Sequence, residues 1–324
     1  MAAAQAPDPD HARSREIDRQ LAQAFAAAQT ECTILLAGTQ GAGKSTIMKQ
    51  MKIIHHGSFT DEQLAEYQQD ILGNGIDAAR EMLRALEHGG PAEDGRQKLT
   101  EVFAAETPSD VTANAIHKLW TDSDVVDWFL RHAPETILTD NASYFLDHIL
   151  RIAAPEYVPT QDDVLRARFN NAKTAETTFT MTRFTFKVVD IAHSANRITM
   201  LIFCAPLVDY KKDRLRESRA YFESLINSPY FRRTTLVLFL NKFDLFRVHL
   251  NKAPMDEHFP DYTAGPDSVK AVKYILWQFM RLNHARMAIN PHITNAIETD
   301  IRNPSIRSVL NVIKETILRG ACLL

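Results

Sequence analysis

The chain has 324 residues, which is too long for one ordinary domain and suits two. Hydrophobic residues make up 45% of it and charged residues 24%, the composition of a globular protein with ample material for a core. Its net charge of −3 and pI of about 6.5 give no general attraction to nucleic acid. A nucleic-acid-binding protein is therefore a poor interpretation, and no nucleic-acid partner is predicted.

Cysteine usage and the apolar runs indicate a reducing compartment and no membrane span. Cys32, Cys204 and Cys322 are far apart and odd in number, so neither a disulfide framework nor a zinc spacing is predicted. The longest apolar run, 198–208, is about half of the roughly 20 residues that a transmembrane helix needs. Ala2 stands where an N-myristoyl group requires glycine, so that anchor is not expected. The predicted location is cytoplasmic.

The first 30 residues are predicted to form an N-terminal arm. Residues 1–12 are rich in Ala, Pro and Asp, and a terminus of this kind favours disorder. Residues 14–28 fit an amphipathic helix, with Ile17, Leu21 and Phe25 on one stripe. Packing within the chain and binding to a partner are both open explanations of this stripe.

The rest of the chain has the pattern of a sheet protein interrupted by a helical block. A short apolar strand at 33–37 ends in a glycine-rich turn, and a helix is predicted at 44–55. The stretch that follows is helical in pattern, with helices predicted at 61–72, 75–87, 111–120 and 141–152. Strands are predicted at 177–184, 184–191, 199–205, 235–240 and 292–296, and helices at 214–227, 269–282 and 305–318. This order predicts an α/β fold with a mostly parallel sheet, helices on both faces and the helical block as an insertion.

A glycine-rich loop between the first strand and the first helix is the strongest chemical motif. Residues 38–45 match G-x-x-x-x-G-K-[ST], and glycines there let backbone N–H groups wrap an anion at a helix N-terminus. Lys44 would reach the β- and γ-phosphates of a nucleotide, and the Ser45 hydroxyl would bind Mg²⁺. The predicted nucleotide-binding residues of this loop are Gly38, Gln40, Gly41, Ala42, Gly43, Lys44, Ser45 and Thr46. A structural turn is the alternative, and the motif alone does not choose between kinase, ATPase and GTPase.

Base selectivity is predicted from two later segments. Asn241, Lys242 and Asp244 form an Asn-Lys-x-Asp motif directly after the strand at 235–240. A carboxylate at this place can accept hydrogen bonds from guanine N1–H and the exocyclic amine, a pair that adenine does not present. Ala296 closes the last strand, where its backbone N–H would meet guanine O6. The predicted ligand is therefore a guanine nucleotide, GTP or GDP.

These motifs lie within a longer resemblance. Six segments are similar to segments of heterotrimeric G-protein α subunits, namely 49–55, 119–123, 157–161, 163–168, 202–204 and 238–242. The similarity is collinear from about residue 14 to the C-terminus. It implies a Ras-like P-loop GTPase domain at 31–57 and 166–324, an inserted all-helical domain at 58–165 and the N-terminal arm at 1–30.

The resemblance also implies roles for individual residues. Arg168 matches the built-in arginine that stabilises charge on the transferring phosphoryl group, and one surface arginine among many is the alternative. Asp190 matches the aspartate that holds the Mg²⁺ shell through water. Further nucleotide contacts are implied at Asp122, Ser123, Leu165 and Arg166.

The chain departs from the family pattern after Asp190. Residues 191–197 contain neither the glycine that senses the γ-phosphate nor the glutamine that orients the attacking water, and most of the segment called switch II is absent. Asn171 replaces the threonine that ligates Mg²⁺ in the family, and Gly41 replaces the glutamate that pairs with the arginine. We therefore expect nucleotide binding with weak or lost GTP hydrolysis. His193 is a candidate water-positioning residue, and a loop histidine without a catalytic role is the favoured alternative.

The resemblance implies signal transduction at the inner face of the plasma membrane. It implies coupling to a seven-helix receptor through the C-terminal helix at 305–318. It also implies a G-protein βγ dimer as a partner, a contact that depends on the truncated switch. Two other functions stay open: a non-cycling pseudo-GTPase that serves as a scaffold or decoy, and a P-loop kinase of small molecules.

Overall fold

The computed structural model of the chain describes residues 13, 18–20, 31–56, 59–87, 89–104, 109–132, 141–168, 176–181, 184–190, 198–211, 213–232 and 234–297. Of the predicted helix at 14–28, only residues 18–20 are described, and they are helical. The predicted C-terminal helix at 305–318 lies outside the described residues, as do Asn171 and His193.

Six strands form the sheet of the described chain. They are β1 (Glu31–Ala37), β2 (Glu176–Met181), β3 (Phe184–Asp190), β4 (Ile198–Pro206), β5 (Thr235–Asn241) and β6 (Ile289–Thr294). Their order is β2-β3-β1-β4-β5-β6, with β2 and β3 antiparallel and every other neighbouring pair parallel. The predicted mostly parallel sheet is confirmed. The chain adds strands on both sides of β1, so the carboxyl end of β1 is the switch point at which sheets of this kind bind ligands.

Helices connect these strands. Before β2 the described helices are α1 (Lys44–His56), α2 (Asp61–Ala65), α3 (Gln68–Leu86), α4 (Glu93–Ala104), α5 (Ser109–Trp120), α6 (Ser123–His132), α7 (Ala142–Asp147), α8 (Ile149–Ile152) and α9 (Gln161–Arg166). After β4 they are α10 (Asp213–Ile226), α11 (Phe243–Lys252) and α12 (Ser268–Met280). Among the described helices, none is both long enough and apolar enough to cross a membrane.

Alternation along the central strands divides the sheet core between two faces. Ile34 and Leu36 of β1 belong to a buried cluster that includes Met51 of α1. Leu35 and Ala37, which are one residue out of step, belong to a second buried cluster with side chains of α10 and α12. Successive side chains of a strand point to opposite faces, so β1 is covered by helices on both sides. The predicted α/β architecture is confirmed in this respect.

The helices between residues 61 and 166 enclose a core of their own. Met82 and Leu86 of α3, Ile116 of α5 and Leu146 of α7 are fully buried in one cluster. Leu165 of α9 belongs to the same cluster, so the end of the helical block is anchored in it. This core is what an inserted helical domain would need, and the boundaries at 58 and 165 stay a prediction.

One helix of this block is longer than predicted. The sequence predicts separate helices at 61–72 and 75–87, but the chain breaks earlier, after Ala65, and α3 then continues without interruption. Gly75 lies inside α3, where a Cβ would come within 2.7 Å of Ile149 Cδ1 on the neighbouring α8. This glycine therefore marks a close helix contact and not a helix end.

Candidate nucleotide-binding site

The glycine-rich loop lies at the carboxyl end of β1, as predicted. Gly38, Gly41 and Gly43 have φ angles of 144°, 77° and 91°, a region that side chains rarely adopt. A Cβ on Gly38 would meet the backbone oxygen of Cys204, and one on Gly43 would meet Nδ2 of Asn241. All three glycines allow the backbone to turn, and those at 38 and 43 also allow it to approach its neighbours closely.

The loop and the helix that follows it are suited to bind an anion. Lys44 Nζ donates to the backbone oxygens of Gly38 at 2.9 Å and Thr39 at 3.1 Å, so the ammonium group lies over the loop. Both acceptors are neutral, and α1 has no acidic residue in its first turn, so nothing there cancels the positive end of the helix. The arrangement therefore fits the phosphates of a nucleotide.

The predicted Mg²⁺ ligands occupy the same edge of the sheet as far as they are described. Ser45 is exposed in the first turn of α1. Asp190 is the last residue of β3, and its backbone lies opposite Leu36 of β1 in the parallel register. In the described chain, no three His, Cys, Asp or Glu side chains are grouped so that they could hold a metal ion by themselves. Mg²⁺ is commonly held by one or two protein groups together with phosphates and water, so these residues fit the ion.

Asn241 joins the separate loops of the site. Its buried side chain donates from Nδ2 to the backbone oxygen of Ala42 in the phosphate loop at 3.0 Å. Its Oδ1 accepts from Thr294 Oγ1 at 3.1 Å and from the backbone N–H of Ala296 at 3.3 Å. The backbone N–H of Ala296 was predicted to meet guanine O6. In the structure it donates to Asn241 Oδ1. A buried amide must have hydrogen-bond partners. These three connect the glycine-rich loop 38–45, the candidate phosphate loop, to the candidate base loops at 241–244 and 294–296.

The base side of the site has a special backbone at Lys242. This residue has φ 62° and ψ 40°, the left-handed conformation, and directly precedes α11. Asp244 is exposed in the first turn of that helix, and its backbone N–H donates to Asn295 Oδ1 at 3.1 Å. Gln50 Nε2 of α1 donates to the backbone oxygen of Ala296 at 2.9 Å. Gln50 and Asn295 were not predicted as site residues, because a polar side chain on a helix or in a loop has many ordinary explanations.

The helical block meets α1 at the segment Val164–Arg168, which comprises the last turn of α9 and the two residues after it. Lys49 Nζ donates to the backbone oxygens of Val164 and Ala167, both at 2.8 Å. Thr46, a predicted nucleotide-binding residue, donates from Oγ1 to the backbone oxygen of Leu165 at 3.3 Å. The last carbonyls of a helix lack partners within it, so these side chains cap α9 from outside. Burial lowers the pKa of Lys49 to about 7.

Two asparagines hold the same segment from the helical side. Asn74 Nδ2 donates to the backbone oxygen of Arg168 at 2.7 Å, and Asn74 Oδ1 accepts from the backbone N–H of Arg168 at 2.8 Å. Asn141 Nδ2 donates to the backbone oxygen of Arg166 at 2.9 Å. Leu165 has its side chain fully buried in the helical core, so any contact with a nucleotide would come from its backbone.

A buried carboxylate anchors the start of α9. Asp163 is fully buried and accepts from Arg151 Nη1 at 2.9 Å and Nη2 at 2.7 Å. It also accepts from Tyr144 Oη at 2.8 Å and from the backbone N–H of Thr160 at 2.8 Å. Burial by itself raises the pKa of Asp163, but the hydrogen bonds from Arg151, Thr160 and Tyr144 outweigh it and hold that pKa well below its usual range. The sequence analysis did not assign a role to this carboxylate.

The remaining predicted contacts lie around the same edge of the helical block. Asp122 Oδ1 accepts from the backbone N–H groups of Asp124 at 3.0 Å and Val125 at 3.3 Å, so it caps α6, and Ser123 is exposed beside it. A cavity of about 220 Å³ lies between α3 and the end of α9. Its lining includes Asn74, Asn141, Arg166 and Arg168. Contacts of Asp122, Ser123, Arg166 and Arg168 with a nucleotide stay predictions.

The fold and the site define an α/β protein with a glycine-rich loop at the switch point of its sheet. Residues 11–317 match the family model described as G-protein alpha subunit. The match covers most of the chain, and the chain belongs to this family. The predicted resemblance is therefore confirmed.

Curated relatives agree with this assignment. The chain is similar to a guanine nucleotide-binding protein subunit alpha of Cryptococcus neoformans, with 38% identity over 95% of the chain and 77% of the relative. It is 36% identical to an alpha-3 subunit of Mycosarcoma maydis over 95% of the chain and 94% of the relative. It is 35% identical to an alpha-2 subunit of Saccharomyces cerevisiae over 90% of the chain and 71% of the relative. The first alignment spans 338 positions, more than the 324 of the chain, so that relative has residues that the chain lacks.

Proposed function

We propose that the chain is a guanine-nucleotide-binding signal transducer that binds GTP and GDP with Mg²⁺ and hydrolyses GTP slowly or not at all. The observation that carries this proposal is the position of Asn241. Its buried amide joins Ala42 of the phosphate loop to Thr294 and Ala296 after β6. The phosphate loop and the base loops are therefore parts of one connected site, which is what recognition of a whole nucleotide requires.

Guanine selectivity is assigned to the carboxylate of Asp244. The left-handed backbone at Lys242 begins α11 so that Asp244 lies in its first turn, where it is exposed. An ionised carboxylate only accepts hydrogen bonds, and guanine offers two neighbouring donors on one edge. Adenine does not offer this pair, so the same carboxylate discriminates against ATP.

The phosphate groups are assigned to the loop 38–45. Lys44 supplies the positive charge, and the backbone of the loop and the N-terminus of α1 supply N–H donors. Ser45 and Asp190 are the residues that would hold Mg²⁺, the latter through water. When bound, the ion would neutralise charge on the β- and γ-phosphates.

Slow or absent hydrolysis is inferred from what the chain lacks in sequence. Residues 191–197 have no glutamine to orient a water molecule, although Arg168 is retained to stabilise charge on the phosphoryl group. Nucleotide binding and GTP hydrolysis depend on different groups, so loss of hydrolysis leaves nucleotide binding intact. Coupling to a seven-helix receptor through 305–318, and to a βγ dimer, completes the proposal.

The test combines nucleotide titration with single-turnover hydrolysis in one preparation. GTP and GDP are expected to bind tightly, ATP at least about 100-fold more weakly, and bound GTP to persist well beyond ordinary turnover times. Inosine triphosphate, which lacks the 2-amino group, reports on Asp244 directly. Asp244→Ala should abolish the preference for GTP over inosine triphosphate, whereas Asp261→Ala, an exposed aspartate beyond α11, should preserve it. Tight ATP binding without preference for GTP would contradict the proposal and favour the kinase.

Hydrolysis separates the two roles that remain after selective binding is established. Bound GTP that is never hydrolysed, together with protease sensitivity that is equal with GTP and GDP, would support a non-cycling scaffold. Measurable hydrolysis with nucleotide-dependent protection near Arg168 would support a cycling transducer. In the second case His193→Ala would show whether that histidine replaces the missing glutamine.

A further inference from the structure

The loop position at which the family carries the glutamate that pairs with the arginine is Gly41 in this chain. Gly41 lies at the exposed tip of the loop with φ 77°, and a Cβ placed there would have nothing within 4 Å. Arg168 itself is exposed. A long exposed arginine has many accessible rotamers, so its guanidinium is useful at a defined position only if another group restrains it.

The main chain of Arg168 is held by a single side-chain amide from α3. Asn74 Nδ2 donates to the backbone oxygen of Arg168 at 2.7 Å, and Asn74 Oδ1 accepts from its backbone N–H at 2.8 Å. The two residues are 94 positions apart, so the pairing depends on the tertiary fold. Asn74 is itself oriented, because Nδ2 also donates to the backbone oxygen of Asp70 at 2.6 Å in its own helix.

This pairing restricts the backbone orientation from which the Arg168 side chain extends. An amide that bonds both the N–H and the C=O of one residue fixes the orientation of its two peptide planes, as a neighbouring strand would. The Cα–Cβ bond of Arg168 then points in one direction. Arg168 lines the 220 Å³ cavity together with Arg166 and Asn74.

We propose that Asn74 is a positioning residue for Arg168, holding its backbone so that the guanidinium is presented to the terminal phosphate of bound GTP. The inference rests on the proposed function, because it takes guanine-nucleotide binding and the role of Arg168 from there. In this chain the helical block thus restrains the backbone of Arg168, whereas the phosphate loop has Gly41 in place of the family's glutamate.

The experiment measures dissociation of labelled GTPγS and labelled GDP from the full chain with Mg²⁺. Arg168→Ala and Asn74→Ala are each expected to speed GTPγS release about tenfold and GDP release less than about twofold, because only GTPγS carries the terminal phosphoryl group. The double variant should release GTPγS no faster than Arg168→Ala alone. This lack of additivity distinguishes action through Arg168 from a general loosening of the fold.

Asn114→Ala is the matched control. Asn114 is an exposed asparagine of α5 whose Nδ2 donates to the backbone oxygen of Asp110, four positions earlier, as Asn74 does to Asp70. It reproduces the local helix bond without the bond to Arg168 and should release both nucleotides at the wild-type rate. Asn74→Asp is a nearly isosteric second variant that keeps the acceptor and loses the donor, and it should also accelerate GTPγS release selectively.

The outcomes are distinguishable. Wild-type release rates of GTPγS in both Asn74 variants would overturn the inference, as would equal acceleration of GDP and GTPγS or additive effects in the double variant. A wild-type chain that retains neither nucleotide would overturn the proposed function, and with it the inference. Selective, non-additive acceleration in the Asn74 variants with an unaffected Asn114 control is the result that supports the proposal.

Discussion

The two sides of the candidate site are built in different ways. On the sheet side, the phosphate loop and the base loops follow the carboxyl ends of paired strands, and one buried amide, Asn241, joins them. On the helical side, the segment Val164–Arg168 is held by separate side chains that reach its backbone from α1 and α3. Strand pairing holds the sheet side together through many hydrogen bonds. A single substitution there therefore acts mainly through local strain. The second side depends on a few individual bonds, each of which one substitution removes.

The largest effect is expected at the buried ion pair that anchors the helical side. Arg151→Met keeps the aliphatic stem but leaves Asp163 buried without its guanidinium, and it should lower the free energy of unfolding by about 3 kcal/mol. Asp163 has a pKa below its unfolded value, so its contribution is present above about pH 4 and is lost as pH falls through the folded pKa. The difference between wild type and variant should therefore shrink in strong acid.

Urea denaturation at several pH values measures this difference. Arg80→Met is the matched control, because Arg80 pairs with Asp77 at 3.2 Å on the exposed surface of the same block. Exposed pairs contribute less than about 1 kcal/mol. Equal losses in the two variants would show that the buried pair has no special role in anchoring α9.

On the sheet side, strain in the phosphate loop should have the next largest effect. Gly43→Ala forces a side chain into a left-handed backbone and against Asn241, and we expect nucleotide affinity to fall about 100-fold. Gly41→Ala has the same kind of backbone with open space around it. It should cost about tenfold or less, and titration with labelled GDP compares the two. Equal affinities would mean that the contact with Asn241 is unimportant.

Lys49 provides a pH-dependent test of the helical side. Its pKa is lowered from 10.5 to about 7, so between these values the unfolded chain binds more protons than the folded chain. The free energy of unfolding of the wild type, relative to that of Lys49→Met, should therefore rise with pH in this window. The expected rise is about 2 kcal/mol between pH 7 and 9. Parallel pH profiles for wild type and Lys49→Met would contradict the lowered pKa of Lys49.

The smallest effect is expected where one bond of the Asn241 network is removed. Thr294→Val deletes the hydroxyl that donates to Asn241 Oδ1 at 3.1 Å and keeps the shape of the side chain. The other two bonds of Asn241 remain, so the loss in GDP affinity should be about fivefold, or about 1 kcal/mol. Thr235→Val at the start of β5 is the control and should leave affinity unchanged. A loss as large as that of Gly43→Ala would show that the sheet side is as fragile as the helical side.

Sequence patterns predicted the strand and helix on the sheet side of the candidate site well. The strand β1 and the helix α1 were placed within two residues of their observed bounds, and the phosphate loop lies between them as expected. Such motifs are contiguous, and their glycines and strand ends are dictated locally. On the helical side the sequence predicted Arg166 and Arg168 only through resemblance to a family. It did not predict Asn74, Asn141 or Lys49, whose residue types are common on ordinary helices.

By itself the sequence determined the α/β fold class, the phosphate loop and the Asn-Lys-x-Asp segment, because periodicity and short motifs record local backbone preferences. Only the tertiary structure decided that Asn74 pairs with the backbone of Arg168, which is 94 positions away. It also decided that Lys49 caps α9 by donating to the backbone oxygen of Val164, which is 115 positions away. The physical reason is that a hydrogen bond from a side chain to a distant carbonyl leaves no periodic trace. Which asparagine or lysine makes it depends on how the helical block packs against α1.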